Sequence, residues 1–300
     1  MSIQQVAIVG GTHGNEITGV HLVQYWQSRP EEVMRGSFAT ELLFANPQAN
    51  RVMKRYLDQD LNRQFALEDL NNHALTNYEQ SRAKAINHLL GPKEDPRVDF
   101  VIDLHTTTAN MGLTLVISED SPLLIGMAFY IKQHMPEAVL FYEPKNRLDD
   151  YFLASLGRQN GLLIEVGATP QGLLRADVYD LTRRATLHAL DYIDCVNRDD
   201  IPELPEQFEA YQFVDIVKLP ESSDGRRWGM VHPNVQDQDY QPINPGDPLF
   251  VTFDGKDVLF EGARTHYLAF VNEAAYYDRN IGVSLMDKIT LKRPTPMRSV

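Results

Sequence analysis

Cysteine is almost missing from the 300 residues: Cys195 stands alone, which excludes an intramolecular disulfide framework and any cysteine-based metal site. It falls in a helical pattern with Ala189, Tyr192, Ile193 and Val196 and is expected to be a buried, inert thiol. Long apolar runs are also missing. No stretch approaches the ~18 to 20 apolar residues of a membrane span. Met1-Ser2-Ile3-Gln4-Gln5 lacks a basic n-region and passes straight into an apolar strand, so no signal peptide is expected. Positive charge is scarce, with 28 Lys and Arg against 41 Asp and Glu, a formal net charge of -13. Nucleic acid and anionic membrane attract proteins through clustered Lys and Arg, so neither is expected as a partner. What these absences leave is a cytoplasmic protein in which local arginines stand out as sites for small anions.

The hydrophobic share of 43% and charged share of 23% are those of an ordinary soluble globular chain. The length suits one large α/β domain, or a domain of about 200 residues with a smaller companion. Apolar strand patterns fall at 5–10, 42–45, 98–104, 114–117, 139–142 and 162–166. Between them lie helical patterns at about 16–27, 79–90, 121–134 and 176–197. This alternation predicts an α/β sandwich with a largely parallel or mixed central sheet. Arg198 to Glu206 is polar, holds two prolines and reads as a linker. Beyond it the turn signals Ser223-Asp224-Gly225 and Asp254-Gly255 sit among alternating stretches, which predicts a β-rich domain. The expected division is 1–204 and 205–300.

Three strand ends carry the chemistry. Gly10-Gly11-Thr12-His13-Gly14-Asn15-Glu16 follows the first strand, and its imidazole and carboxylate lie three positions apart. His105 ends the strand 98–104. Together His13, Glu16 and His105 make a three-ligand zinc set with a fourth position open to water, as a hydrolase needs. The same His-x-x-Glu spacing also suits a plain strand end with Glu16 favoured by the dipole of the next helix. Glu165 closes the apolar run Leu162-Leu163-Ile164, where a carboxylate is expensive to bury without a partner. It is either a structural ion pair or a base that takes a proton from metal-activated water. Arg55 to Phe65 is too polar for a strand core and reads as an ordered loop. In it Asn62 and Arg63 could grip a carboxylate and Arg55 could hold a developing oxyanion, or the arginines could pair with Asp58 and Asp60 at the surface. Asn272 to Tyr277 lies in the β-rich region, where its adjacent tyrosines read as half-buried sheet or interface residues, and to which sequence physics alone assigns no catalytic role.

These segments occur together in one known family. The motifs at 10–16, Asp60-Leu61-Asn62-Arg63, Gly91-Pro92-Lys93, Asp103-Leu104-His105, Glu165-Val166-Gly167, Pro170-Gln171-Gly172, His232-Pro233-Asn234, Pro245-Gly246-Asp247-Pro248 and 271–277 resemble the aspartoacylase and succinylglutamate desuccinylase family over nearly the whole chain. The resemblance implies a zinc carboxypeptidase-like three-layer αβα sandwich with a mixed sheet, and a β-rich C-terminal domain that narrows access to the site. It implies a cytoplasmic zinc-dependent amidohydrolase that cleaves an N-acyl amino acid, with one zinc per subunit on His13, Glu16 and His105. Glu165 would be general base and acid, Arg55 the carbonyl-polarising group, and Asn62, Arg63 and Tyr276 the contacts to the substrate carboxylate. Tyr151 matches a pocket tyrosine. A homo-oligomer stays open.

Two departures bear on the substrate. Mammalian aspartoacylases carry an arginine where alignment places Ser155 and a lysine where it places Asn280, both linked to an acidic substrate. At roughly 1.5 to 3 kcal/mol per charged hydrogen bond the loss is substantial, unless Arg158 or Arg147 substitutes. Thr106, where those enzymes have asparagine, is expected to leave the metal untouched. N-acetyl-L-aspartate is the leading substrate. The alternatives are other N-acyl amino acids, aromatic ones included, and a non-catalytic zinc-binding protein.

Overall fold

Alternate residues of the first strand enter two different cores. In β1 (Gln5–Gly10), Val6 and Ile8 point into one apolar cluster while Ala7 and Val9 point into another, the period-two consequence of a strand buried on both faces. The same division continues in β3 (Phe100–Thr106) and β6 (Gly161–Gly167), once β2 (Ala39–Phe44) is counted. Ile102, Leu104, Leu162, Ile164 and Val166 join Val6 and Ile8, whereas Val101 joins Ala7 and Val9. The computed structural model describes residues 2–143 and 151–294.

Helices cover both faces. α1 (Ile17–Ser28) packs on the first core through Leu22 and Trp26. α2 (Pro47–Arg51) and α3 (Leu67–Asn71) follow, and α4 (Tyr78–Leu90) closes the second core with Ala83, Ile86 and Leu90. α5 (Pro122–His134) and α6 (Ala176–Asn197) complete the first. The starts of these helices follow from local chemistry. Asn77 and Gln80 form a reciprocal capping box at α4, and Ser121 caps α5 just before Pro122. The helices at 17–28, 78–90, 122–134 and 176–197 fall where the spacing predicts them. Among the described residues, no helix is long and apolar enough to cross a membrane.

One sheet of ten strands runs through the molecule. With β4 (Gly112–Ile117), β5 (Val139–Tyr142), β7 (Gln207–Lys218), β9 (Pro242–Ile243), β12 (His266–Ala269) and β13 (Ile281–Lys292), its order is β2-β1-β3-β6-β4-β5-β7-β13-β12-β9. Pairing is mixed: β4 runs antiparallel to β6, and β5 parallel to β7. β8 (Gly229–Val231), β10 (Pro248–Thr252) and β11 (Asp257–Leu259) form a separate three-stranded sheet over a third core. This is the expected α/β sandwich with a β-rich C-terminal part. One difference matters: the sheet does not stop at the linker, because β7 pairs with β5 through Phe141 with Tyr211 and Tyr142 with Gln212.

Two local expectations need correction. Cys195 is half-buried, not buried. The apolar stripe of α6 passes through Thr182, Ala185, Ala189 and Ile193, and a residue two positions past Ile193 turns away from it. Tyr276 and Tyr277 are not in a strand either. They sit in a 3₁₀ turn, Ala274–Arg279, whose start is capped by the Glu273 side chain accepting from Ala275 N at 2.9 Å.

Candidate active site

The loop after β1 is shaped by glycine. Gly11 has φ +70°, and a Cβ there would lie 2.6 Å from Val20 Cγ2, so the chain can turn from strand to α1 only without a side chain. A Cβ on Gly14 would lie 2.3 Å from the Ala49 carbonyl carbon. That closeness lets the Arg55 loop dock: Gly14 N donates to Arg55 O at 3.0 Å, and Asn50 Nδ2 donates to Gly14 O at 2.8 Å. His13 is thereby fixed beside Arg55. Glu16 stands at the cap position of α1, yet its side chain makes no capping bond. It turns away from the helix and towards two imidazoles.

His13 Nδ1 lies 2.6 Å from Glu16 Oε1, and His105 Nδ1 lies 3.0 Å from Glu16 Oε2. The three side chains are buried, and a ligand atom from each lies within 4.8 Å of the others. The outer nitrogens have carboxylate partners, His13 Nε2 with Asp60 at 3.0 Å and His105 Nε2 with Asp103 at 2.9 Å. Thr12 Oγ1 donates to the other Asp103 oxygen at 2.7 Å. His13 Nε2 is thereby hydrogen-bonded to a carboxylate, and Nδ1 of both His13 and His105 faces Glu16. That is the arrangement of histidines that bind metal, and two neutral nitrogens with one carboxylate are a donor set that fits zinc.

Electrostatics agree. Burial pushes the Glu16 carboxyl up, but the two imidazoles more than offset this and hold it far below the usual range. Burial pushes His105 down, and Asp103 and Glu16 override it, leaving its pKa well raised. A divalent cation bound here would displace protons from these groups.

Strand alternation puts Glu165 on the same face. Residues 103 and 105 of β3 share the side of the sheet opposite Ile102 and Leu104, and His105 pairs across the ladder with Glu165. Burial pushes the Glu165 carboxyl up to about 8, with Glu16 and Glu273 adding to the rise and His105 and Arg55 opposing it. A cavity opens here, lined by His13, Arg55, Asn62, Arg63, His105, Tyr151, Glu165 and Tyr276. The residues expected from the sequence to carry chemistry thus meet in one place, with Glu16 bordering an adjoining recess.

Arg55 donates to Glu16 Oε1 and Asp60 Oδ2, both at 3.0 Å, so its pairing with Asp60 is built into the site and is not a surface contact. Asp60 also accepts from Asn62 N at 2.9 Å, which starts the 3₁₀ turn Leu61–Arg63. Asn62 Oδ1 accepts from Leu153 N at 2.8 Å. The Arg63 guanidinium lies over the rings of Tyr151 and Phe152, 5.2 and 4.8 Å from their centroids. Both Tyr276 and Arg63 face the cavity from opposite ends of the sequence.

The two departures take a different form in the structure. Neither Ser155 nor Asn280 lines this cavity among the described residues. Ser155 Oγ accepts from Lys93 Nζ at 2.8 Å and donates to Phe152 O at 2.6 Å. Asn280 is a clamp with φ 55°: it donates to Leu219 O at 3.0 Å and Glu221 Oε1 at 2.7 Å, and accepts from Arg227 Nε at 2.8 Å. Arg158 does not substitute, since it bonds Pro96 O and lies 3.4 Å from Asp99. Arg147 lies outside the described residues. Thr106 touches Glu16 only through its backbone N, at 3.1 Å.

Sequence reasoning missed four carboxylates. Asp60 and Asp103 back the histidines. Buried Glu79 accepts from Leu57 N, Asp58 N and Gln59 N at 2.8, 3.0 and 3.3 Å, tying down the loop that carries Arg55. Buried Glu273 accepts from Thr107 Oγ1, and from Thr108 N and Ala109 N at 2.8 and 3.1 Å, joining the His105 loop to the Tyr276 turn. Only Asp103, within its Asp-x-His pattern, had a signal that could have been read.

Comparison with known proteins gives a consistent result. Residues 2–193 match the model for the succinylglutamate desuccinylase/aspartoacylase catalytic domain, and residues 206–288 the associated barrel-sandwich hybrid domain. A protein of Nostoc sp. named probable aspartoacylase is 43% identical over 286 residues, 95% of this chain and 97% of that one. The Homo sapiens N-acyl-aromatic-L-amino acid amidohydrolase (carboxylate-forming) is 40% identical, over 97% of this chain and 93% of its own. The crystal structure of murine aminoacylase 3 superposes with a TM-score of 0.93 at 37% identity, covering 99% of both chains. The chain belongs to the succinylglutamate desuccinylase/aspartoacylase family.

Proposed function

We propose that this chain is a zinc-dependent amidohydrolase that splits an N-acyl amino acid into a carboxylate and a free amino acid. The observation that carries the reading is the convergence of His13 Nδ1, His105 Nδ1 and Glu16 beside Glu165 in a cavity that also holds Arg55. Relatives named for aspartoacylase and for N-acyl-aromatic amidohydrolase activity support the same bond cleavage. His13, Glu16 and His105 would hold the zinc. When bound, zinc supplies Lewis acidity that brings proton loss from water into the neutral range, and its charge draws the Glu165 carboxyl back towards its ionised form.

The protein's own groups do the rest. Glu165 takes a proton from the attacking water and returns it to the nitrogen of the breaking amide, so the amine leaves neutral. Its burial makes it a stronger base than a surface glutamate. Arg55, held between Glu16 and Asp60, donates to the oxygen on which negative charge develops. Asn62, Arg63 and Tyr276 orient the substrate carboxylate, Arg63 as a fork whose plane is set by Tyr151 and Phe152. The decisive experiment is Glu165→Gln. The variant is expected to keep its zinc by elemental analysis and lose at least ~100-fold in kcat on N-acyl amino acids. Near-normal kcat with zinc in place sinks the proposed role.

A further inference from the structure

We propose that Lys93 is a positioning residue for the grip on the substrate carboxylate, tying together the two segments between which the Arg63 guanidinium is held. This rests on the amidohydrolase reading, in which Arg63 binds the carboxylate common to every N-acyl amino acid. Gly91-Pro92-Lys93 takes no part in the chemistry of the site, and its three residues act in succession. Gly91 ends α4 with φ +91°, a conformation that glycine adopts without strain. Pro92 cannot continue the helix. Lys93 N then donates to Asn87 Oδ1 at 2.9 Å, which fixes the lysine backbone against the last turn of α4.

From that anchor the half-buried side chain spans two segments. Lys93 Nζ donates to Phe65 O at 3.1 Å and to Ser155 Oγ at 2.8 Å. An ammonium only donates, so the Ser155 hydroxyl accepts from Lys93 and gives its own hydrogen to Phe152 O, at 2.6 Å. One end of the bridge therefore lies two residues past Arg63. The other reaches Phe152, over whose ring the Arg63 guanidinium lies at 4.8 Å. Two neutral bonds join the same segments: Phe65 N donates to Tyr151 O at 3.1 Å and Leu153 N to Asn62 Oδ1 at 2.8 Å. Lys93 adds charge-assisted bonds, which are the stronger kind, and adds them from a helix outside both segments. Lys93 does not line the cavity among the described residues. It acts on substrate through the aim of Arg63, so its loss is felt as weaker binding and not as slower chemistry.

The test is a double-mutant cycle on zinc-loaded enzyme with N-acetyl-aspartate as substrate. Lys93→Met keeps the stem and removes the donors. It is expected to raise KM about fivefold, part of what one charge-assisted hydrogen bond supplies, with kcat within about twofold of wild type. Ser155→Ala cuts only the link to Phe152 and should raise KM about half as much. Arg63→Gln alone should raise KM about tenfold or more, and adding Lys93→Met to it should change KM by less than about twofold, because residues that act through one another are not additive. A merely structural lysine would instead lower the melting temperature and shift KM equally in both backgrounds. A KM that stays near wild type in both Lys93→Met and Ser155→Ala, or a rise that persists undiminished in the Arg63→Gln background, overturns the assignment and leaves the amidohydrolase reading standing. An Arg63→Gln enzyme with unchanged KM removes the carboxylate contact itself, and with it anything for Lys93 to position.

Discussion

Glu79 offers the sharpest test of how the site is held together, because it touches no substrate and sits outside the cavity. Its carboxylate, fully buried, accepts from Leu57 N, Asp58 N, Gln59 N and, at 3.3 Å, Asn46 Nδ2. Glu79→Ala leaves these donors without an acceptor. Asp58 and Gln59 are exposed, so water replaces their bonds at little net cost. The half-buried Leu57 N and the fully buried Asn46 amide are less readily reached by water, and each loses about 1.5 kcal/mol or more. With a few tenths for the exposed pair, the loss is about 3 to 4 kcal/mol, a large share of a typical 5–15 kcal/mol of folding stability. At roughly 2–4 °C per kcal/mol for chains of this size, melting should fall by about 10 °C. Glu79→Gln keeps the shape and one oxygen, and should lose about half as much. Activity should suffer even where the variant is folded, since Arg55, Asp60 and Asn62 hang on the freed loop and small misplacements cost rate steeply. Thermal melts and kcat on the same zinc-loaded samples decide it. A Glu79→Ala protein that melts within about 2 °C of wild type and keeps its kcat would refute the reasoning.

Other expectations follow from the same geometry. Asp60→Asn should weaken zinc binding roughly 10- to 100-fold, because the amide no longer fixes His13 with Nδ1 towards the metal; competition against a chromogenic chelator measures this, and an unchanged Kd counts against the assignment. Asp239 gives a pH test away from the proposed metal site. It accepts from Val271 N and Asn110 N, both at 3.0 Å, and burial pushes its carboxyl from 3.8 up to about 6. The folded state then keeps a proton that the unfolded chain releases, so this group's contribution to stability is lost as pH rises from about 4 to 6. Urea midpoints across that window should decline more steeply for wild type than for Asp239→Asn, and parallel or opposite slopes would show the carboxyl is not raised.

Much of this was legible in the sequence where residue type and strand period act together. His105 and Glu165 could be placed because a polar group at the end of an apolar strand is conspicuous, and period two fixes which face it takes. Glu79 and Glu273 were illegible for the opposite reason. Most of their partners are backbone amides of loops, and a backbone amide carries no residue identity for a pattern to reveal. Glu79 reads simply as an acidic residue in the first turn of a helix. Arg279 and Asn280 show a third limit: the 3₁₀ turn ends at Arg279 and the chain switches to a left-handed conformation at Asn280, so a one-residue difference separates a cavity wall from a structural clamp. The pairing of β5 with β7 rests on two residue pairs, too short a ladder to leave a trace in composition.

That short ladder has a mechanical consequence. Two bodies joined only by Arg198 to Glu206 could swing about the linker as about a hinge, opening a cleft for each turnover. Here the strand that leaves the linker is already stitched into the first half, and Phe213 and Ile216 of that same strand form cavity wall. Swinging would tear the ladder and re-aim the wall at once. Substrate traffic is therefore left to the breathing of loops over a rigid floor, and lengthening the linker should leave product release unchanged.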